Sequence, residues 1–299
     1  MGHWGLRVGA VSAALTCAIV ASACTPGSVS DQALGGALNF GQQVPSGLQR
    51  QSLNVEGEHR SYLISVPEGD SPKPVIYVFH GWGLNAATIA EDTDFHEADA
   101  IVVYPEGSNN AWAPAYYADD PSGRSDLFFM DAVHEDVKAT YSVAEDRVYA
   151  AGFSNGGGFA RYLSCQRPGL IDSIATVGGA FFDTTVSECA AEPTPFLNIH
   201  GTSDPTVAYG GRIHMNDGVP YTYLGVSQVL DHATTRNNCS TDREEKRESE
   251  TVTLVDYSDC EGYPIEHLRV SGLSHFWPRG ELDSGGVDAT ERTLTFFGL

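Results

Sequence analysis

The stretch "DRVYAAGFSNGGGF", residues 146–159, joins an apolar run to a glycine-rich segment that begins a helix. Its centre matches Gly-x-Ser-x-Gly, with Gly152 and Gly156 on either side of Ser154. At a sharp strand-to-helix turn this pattern lifts the serine hydroxyl above a sheet, and glycine is needed because side chains at 152 and 156 would clash. In a chain with 32 glycines the same pattern also occurs by chance in ordinary turns. The surrounding sequence decides between these alternatives.

Apolar runs typical of buried strands lie on both sides of this stretch, and helical patterns separate them. Such alternation predicts an α/β fold, a mainly parallel sheet with helices on both faces. The turn at Ser154 therefore has the strand-to-helix context of a nucleophile elbow. The predicted strands are 60–67, 75–79, 100–107, 146–153, 171–179, 195–201 and 265–270, and the predicted helices are 84–99, 127–137, 159–165, 226–237 and 287–299.

Length and charge limit the possible functions. The 299 residues, 41% of them apolar, are enough for one large domain, which we place at residues 49–299. The formal net charge of −22 would repel nucleic acid and anionic membrane surfaces. We therefore expect no nucleic-acid partner, an acidic solvated surface, and a monomer.

The amino terminus has the pattern of an export signal. Arg7 precedes an apolar run of about 14 residues, shorter than the ~20 that span a bilayer. The small residues that end at Ala23 suit cleavage by signal peptidase, which predicts a signal peptide over 1–23. The next residue, Cys24, is a candidate lipidation site and so a membrane tether. Simple secretion and lipid anchoring both remain open, and residues 24–48 have the composition of a flexible linker.

Four cysteines lie in the predicted domain, and they allow three pairings. Pairing between sequence neighbours is one of the three. No Cys-x-x-Cys motif is present, so structural disulfides in an exported protein are favoured over a metal site. The four are Cys165, Cys189, Cys239 and Cys260.

A serine hydroxyl is a weak nucleophile unless a histidine takes its proton and a carboxylate orients that histidine. In this fold their order along the chain is serine, acid, histidine. Asp204, directly after an apolar run, is the candidate acid, although an aspartate before a proline is also a common turn cap. His275, on a loop after a predicted strand, is the candidate base. Other histidines after Asp204 are His214 at a turn, His232 in a helical pattern and His267 in a strand pattern.

Acyl transfer also requires hydrogen-bond donors for the charge that develops on the carbonyl oxygen. The backbone N–H of Asn155 is one candidate donor. The other is the N–H of Trp82 in the loop "HGWG", with Gly81 as the near alternative. The His80 side chain is expected to bond within that loop. Asp126 precedes Ser154, and we interpret it as a helix cap or surface charge.

Six segments in the same order resemble a family of secreted esterases that includes polyhydroxybutyrate depolymerases, feruloyl esterases and acetyl xylan esterases. The resemblance runs from about residue 50 to the end, and the chain looks like the bacterial lipoprotein branch of this family. It implies a triad of Ser154, Asp204 and His275, and disulfides between neighbouring cysteines. The segments are "RSYLISVP", "FHGWG", "VVYPEG", "DRVYAAGFSNGG", "IHGTSDPTVAYGG" and "LSHFWP".

Two positions depart from the family pattern. Ser274 stands before the histidine where relatives often have glycine, and Trp82 stands where the depolymerases tend to have cysteine. Neither change removes a catalytic group. The loops around Trp82, Trp112 and Trp277 are expected to determine which ester is accepted.

The sequence therefore predicts an exported α/β-hydrolase that cleaves a small or polymeric carboxylic ester through an acyl-serine intermediate. We expect it to need no metal or organic cofactor. A serine peptidase of the same fold is one alternative, although such peptidases usually carry a large additional domain. A non-catalytic binding protein on the same scaffold is another, although it would normally have lost one of the three triad residues.

Overall fold

The computed structural model describes residues 1–2, 44–187, 189–190, 192–216, 219–240, 242–257, 260–280 and 285–299. All described residues from 44 onward belong to one compact unit. Except for residues 1–2, the predicted signal peptide lies outside the described residues, as do Cys24 and most of the predicted linker, so the proposed boundary at 48/49 stays a prediction.

Ten of the twelve strands in the described residues form one sheet, in the order β1-β2-β4-β3-β5-β6-β7-β12-β11-β10. Neighbours from β4 to β12 in this order are parallel, and the outer strands are antiparallel. The other two, β8 and β9, form a separate hairpin. The strands are β1 (Gln49–Val55), β2 (Glu58–Ser65), β3 (Lys73–Phe79), β4 (Ile101–Pro105), β5 (Val143–Phe153), β6 (Ser173–Val177), β7 (Phe196–Gly201), β8 (Arg212–Asn216), β9 (Val219–Tyr223), β10 (Glu244–Arg247), β11 (Val252–Tyr257) and β12 (Ile265–Val270).

Helices cover both faces of the sheet, because the parallel strands are apolar on both sides. In β3, for example, Tyr77 enters one core and Ile76 enters the other. Helices α2, α3 and α5 line the first core, and α1 and α6 line the second. The helices are α1 (Ala86–Thr93), α2 (Arg124–Thr140), α3 (Asn155–Gln166), α4 (Asp183–Ser187), α5 (Val226–Arg236) and α6 (Ala289–Phe297).

The structure contains every predicted strand and helix, with ends moved by a few residues. The α/β fold is therefore confirmed. Strands β1 and β8–β11 and the short helix α4 are additional. The apolar pattern did not reveal α4, which has only five residues, or the strands, which are short and antiparallel; all four residues of β10, for instance, are exposed.

Two disulfides connect neighbouring cysteines. Cys165, in α3, is bonded to Cys189, and Cys239, after α5, is bonded to Cys260, before β12. Their sequence separations are 24 and 21 residues. By restricting the unfolded chain, each should stabilise the fold by about 3–4 kcal/mol. This is the pairing that the family resemblance implies.

The chain reverses direction at Ser154, between β5 and α3. Ser154 has φ 54° and ψ −122°, a conformation that non-glycine residues rarely adopt. Its N–H donates to Val177 O at 2.9 Å, and its carbonyl accepts from Ala180 N at 2.9 Å and from Gly158 N at 3.1 Å. Bonds to the end of β6 and the segment after it, as well as to α3, thus hold the strained residue in place.

Gly152 and Gly156, two residues before and after Ser154, are both packed tightly against backbone atoms. A Cβ on Gly152 would lie 2.3 Å from Gly156 O, and a Cβ on Gly156 would lie 2.3 Å from Phe79 O in β3. We expected side chains at 152 and 156 to clash with each other. In the structure, a side chain at either position would instead clash with backbone atoms. Gly156 lets the first turn of α3 lie directly against the end of β3.

Gly156→Ala should lower the free energy of unfolding by about 1–3 kcal/mol, because the new methyl group must push α3 away from β3. Urea denaturation would measure the change. Gly210→Ala is a matched control, since a Cβ there meets no atom within 4 Å and needs no unusual backbone angle. Equal unfolding free energies for the two variants would contradict this close approach of helix and strand.

Candidate active site

Ser154, His275 and Asp204 form one continuous hydrogen-bonded chain. His275 Nε2 lies 3.0 Å from Ser154 Oγ, and His275 Nδ1 lies 2.6 Å from Asp204 Oδ2. Because an ionised carboxylate only accepts hydrogen bonds, Nδ1 carries a proton and Nε2 is left to accept the serine O–H. Loops after β5, β7 and β12 carry these residues to the same edge of the sheet. This arrangement can transfer a proton from serine to histidine.

Asp204 is held as a carboxylate by its surroundings. Its Oδ1 accepts hydrogen bonds from Thr206 N and Val207 N, both at 2.8 Å, and its side chain is almost fully buried. Burial by itself raises the pKa of Asp204, but hydrogen bonds from His200 and His275 reverse that effect and hold the pKa well below its usual range. The negative charge therefore persists where it can stabilise a protonated His275.

The other downstream histidines do not join this chain of bonds in the described residues. His267 is buried in β12, where it contacts the Tyr209 hydroxyl and Asn198 O. His232 is exposed on α5, and His214 belongs to β8. His200, which the sequence analysis did not single out, lies 3.5 Å from Asp204 Oδ2. Its position in the stretch "IHGTSDPTV", four residues before Asp204, is the sequence feature that could have predicted this contact.

The loop after β3 lies against the serine. A Cβ on Gly81 would be 3.3 Å from Ser154 Cβ. Gly107 N donates to His80 Nε2 at 2.9 Å, so the proton of the neutral ring is on Nδ1, which donates to Gly81 O at 2.9 Å. The Gly81 carbonyl and the Trp82 N–H share one planar peptide group. His80 thus fixes the direction of the Trp82 N–H, and the expected bond within the loop is present.

Asn155 has a second role that the sequence did not reveal. Its backbone N–H lies at the start of α3, where no acceptor is available within the helix. Its buried side chain accepts from Trp112 N at 2.8 Å and donates to Trp112 O at 3.0 Å. Asn155 therefore connects the nucleophile helix to the loop after β4.

Asp126 also holds the loop after β4 in place. Its carboxylate accepts from Arg60 at 2.8 Å and from Ala113 N at 2.9 Å, and both charged side chains are buried. The interpretation of Asp126 as a cap or surface charge was therefore wrong. A local sequence pattern could not reveal this pair, because Arg60 lies in β2, 66 residues before Asp126 in α2.

Of the three tryptophans whose loops are expected to determine which ester is accepted, one is exposed. Trp112 is fully buried and stacks on Phe159, and Trp277 is buried with its ring nitrogen donating to Thr290. Trp82 is 61% exposed. Of these three side chains, only that of Trp82 is largely accessible to solvent.

Among the described residues, no three histidine, cysteine or carboxylate side chains are grouped so that they could bind a metal ion. Nor does any helix there have the length and apolar character needed to cross a bilayer.

Comparison with known proteins gives the family. The family model described as phospholipase/carboxylesterase matches residues 64–218, which is just over half of the chain. The chain belongs to this family. It is an α/β-hydrolase that acts on carboxylic esters.

Feruloyl esterases of fungi are similar in sequence to this chain. A probable feruloyl esterase C of Aspergillus terreus is 30% identical over 207 residues, which are 64% of this chain and 70% of that protein. Feruloyl esterase C of Emericella nidulans is 27% identical over 251 residues, 77% of this chain and 82% of that protein.

Solved structures of hydrolases share the fold. An acetyl xylan esterase from Aspergillus awamori superposes with a TM-score of 0.60 and 11% identity over 84% of this chain and 99% of its own. A fluorophosphonate-binding serine hydrolase of Staphylococcus aureus gives a TM-score of 0.55 and 13% identity, over 84% and 97% of the two chains.

Protonation of buried histidines should destabilise the protein as the pH falls. Burial lowers the pKa of His80 from 6.5 to about 4, although its bond to Gly81 opposes the change, and lowers the pKa of His267 to about 3. The unfolded chain therefore takes up protons before the native state does. The stability contributed by the neutral rings should be complete above pH 6.5 and decrease as the pH falls toward 4.

Urea denaturation at a series of pH values measures this loss. His80→Gln should have a flatter profile, because it lacks the His80 share of roughly 3 kcal/mol. Protonation of the Asp204 carboxylate affects stability in a separate pH range, because the lowered pKa of Asp204 changes stability only below about pH 4. Identical losses in the wild type and in His80→Gln would rule out the contribution of His80.

Proposed function

We propose that Ser154 is the nucleophile of a serine carboxylic ester hydrolase, with His275 as its base and Asp204 as the acid that orients the base. The observation that carries this proposal is the unbroken series of contacts from Ser154 Oγ through both nitrogens of His275 to Asp204. The strained backbone of Ser154 adds support, because such strain is concentrated at functional sites.

In this mechanism Ser154 Oγ attacks the ester carbonyl carbon while His275 Nε2 takes the hydroxyl proton. The tetrahedral intermediate collapses as His275 gives that proton to the leaving alcohol, and the acyl group stays on the serine. A water molecule, activated by the same nitrogen, then attacks the acyl-serine and releases the acid. Asp204 stabilises His275 each time it is protonated.

The backbone N–H groups of Asn155 and Trp82 are the proposed oxyanion donors. Asn155 follows the nucleophile at the start of α3, where the helix dipole also favours negative charge. Trp82 follows Gly81, which lies against Ser154, and His80 fixes its peptide plane. Both amides thus belong to backbone that is already held in place before a substrate arrives, as electrostatic stabilisation requires.

For the substrate, we propose a feruloyl-type ester, in which the acid carries an aromatic ring. The related proteins named feruloyl esterase support this class. The exposed indole of Trp82 beside the nucleophile also favours an aromatic substrate over a simple acetyl ester. Polyhydroxybutyrate and acetylated xylan, the other classes implied by the sequence resemblance, are alternatives that a substrate panel separates.

We also propose that the protein is exported. The amino-terminal pattern supports this, and so do the two disulfides, which persist in oxidising compartments. Cys24 provides a candidate site for a lipid anchor.

Ser154→Ala should abolish ester hydrolysis, with kcat reduced by at least about 10³-fold, because no other group on the chain of bonds can attack the carbonyl. The measurement is hydrolysis of p-nitrophenyl butyrate, methyl ferulate, acetylated xylan and polyhydroxybutyrate. Ser203→Ala, an exposed serine next to Asp204, is the matched control and should retain activity. Full activity in Ser154→Ala would disprove the mechanism, and hydrolysis of acetylated xylan but not methyl ferulate would disprove the substrate class.

Lipid anchoring is tested in cells that express the complete chain. Metabolic labelling with radioactive palmitate should mark the wild type and not Cys24→Ala, which should be released into the medium. Cys17→Ala, within the predicted signal peptide, controls for the loss of a cysteine. Equal release of the wild type and Cys24→Ala, without label on either, would show free secretion.

A further inference from the structure

Several large apolar side chains are exposed beside the triad. Trp82, Tyr116 and Phe276 are 61%, 38% and 37% exposed. They lie on loops after β3, β4 and β12, at the sheet edge where Ser154 also lies. Exposed aromatic residues that are concentrated around a nucleophile indicate contact with a ligand.

Trp82 is presented as a flat surface. Its indole stacks on the Tyr117 ring, with centroids 4.6 Å apart and an angle of 28° between the planes. Because one face rests on Tyr117 and the side chain is still 61% exposed, the other face is open. Around this pair lies a group that we call the aromatic platform: Trp82, Tyr116, Tyr117, Phe182, Tyr221 and Tyr223.

The aromatic platform is rigidly supported. Hydrogen bonds between tyrosine hydroxyls join Tyr116 to Tyr221 and Tyr117 to Tyr223, and so connect the loop after β4 to the β8–β9 hairpin. Phe182 forms an isolated β-bridge with Tyr223. Hydrogen bonds from Asn155 to Trp112 and from Ala113 to Asp126 also hold the loop after β4. The open face of Trp82 is therefore available without rearrangement, which favours binding.

Strand order places Trp82 and Tyr117, two members of the aromatic platform, on the opposite side of the nucleophile from the base. Ser154 follows β5; the strands that precede Trp82 and Tyr117, β3 and β4, lie on one side of β5, whereas β7 and β12, which precede Asp204 and His275, lie on the other. The leaving alcohol must lie near His275, because His275 protonates it. The acyl group leaves the carbonyl carbon in another direction than the alcohol, and on the side of Ser154 away from His275 the exposed ring is that of Trp82.

We propose that the aromatic platform is an acyl-binding subsite, in which the open face of Trp82 stacks on a planar aromatic ring of the ester's acid part. This proposal rests on the proposed esterase function and adds a residue that determines its specificity. All six side chains of the platform are uncharged aromatics, which suits a neutral planar ring and offers no cation for an anionic group. Phe276, next to His275, lies on the alcohol side.

The test compares two esters of the same alcohol, methyl ferulate and methyl butanoate, in the wild type and variants. In Trp82→Ala the ratio of kcat/KM for methyl ferulate to that for methyl butanoate should fall about tenfold, from lost stacking and burial. Any damage to the Trp82 N–H acts on both esters and cancels in the ratio. Trp82→Phe should restore most of the ratio, because phenylalanine can still stack.

Phe276→Ala is the matched control. It removes another exposed aromatic side chain, next to His275 and on the alcohol side, so the ratio should stay within about twofold of the wild type. An unchanged ratio in Trp82→Ala, or an equal fall in Phe276→Ala, would overturn the proposal. So would a selective loss in Trp82→Ala of activity on phenyl acetate relative to methyl acetate, since that result would place the platform on the alcohol side.

Binding without turnover separates this proposal from the proposed function. Calorimetry should show methyl ferulate binding to Ser154→Ala, about tenfold weaker binding to Ser154→Ala/Trp82→Ala, and unchanged binding to Ser154→Ala/Phe276→Ala. If the wild type hydrolyses neither ester but this order of affinities holds, the subsite stands and the proposed function fails. If hydrolysis is found but the affinities are equal, the subsite is wrong and the function stands.

Discussion

The forced reversal of the chain at Ser154 is the constraint on which the rest of the site depends. Its unusual φ and ψ angles persist because hydrogen bonds to Val177 and Ala180 fix both sides of the residue. The reversal also brings the first turn of α3 against the end of β3, which only glycine at 156 permits. The nucleophile, the start of the helix and the oxyanion loop are thereby fixed relative to one another by backbone alone.

The buried polar contacts extend this constraint to the surrounding loops. His80 fixes the peptide group that contains the Trp82 N–H, Asn155 holds both backbone groups of Trp112, and Asp126 holds Ala113. Each of these side chains is buried, where an unpaired polar group would be destabilising. The loops therefore have one favoured arrangement, and the site is formed before any ester binds.

Strand order gives the site two sides. Loops after β7 and β12 carry Asp204 and His275, the proposed acid and base, and loops after β3 and β4 carry the proposed oxyanion donor Trp82 and exposed aromatic surface. Chemistry and specificity can thus vary separately, because they are carried by loops on different sides of the nucleophile strand.

Local patterns in the sequence were enough to predict the main sheet, because buried parallel strands are continuous apolar runs and the helices between them have apolar residues at regular spacing. They were also enough to select Ser154, Asp204 and His275 as candidates, since glycine spacing and chain order are local properties. The polar strand β10 and the β8–β9 hairpin were missed, because short antiparallel strands with exposed residues have no such pattern.

The sequence by itself determined the type of fold, the elbow and the residues that could form a hydrolytic triad, because each follows from side-chain chemistry at nearby positions. Only the tertiary structure decided which of the three described tryptophans is exposed: Trp112 and Trp277 fill cores while Trp82 faces solvent. It also decided that Asp126 is buried against Arg60 and that Trp82 lies across the nucleophile from His275. These properties depend on which strands lie side by side, and the order of strands in a sheet is not the order of strands in the chain.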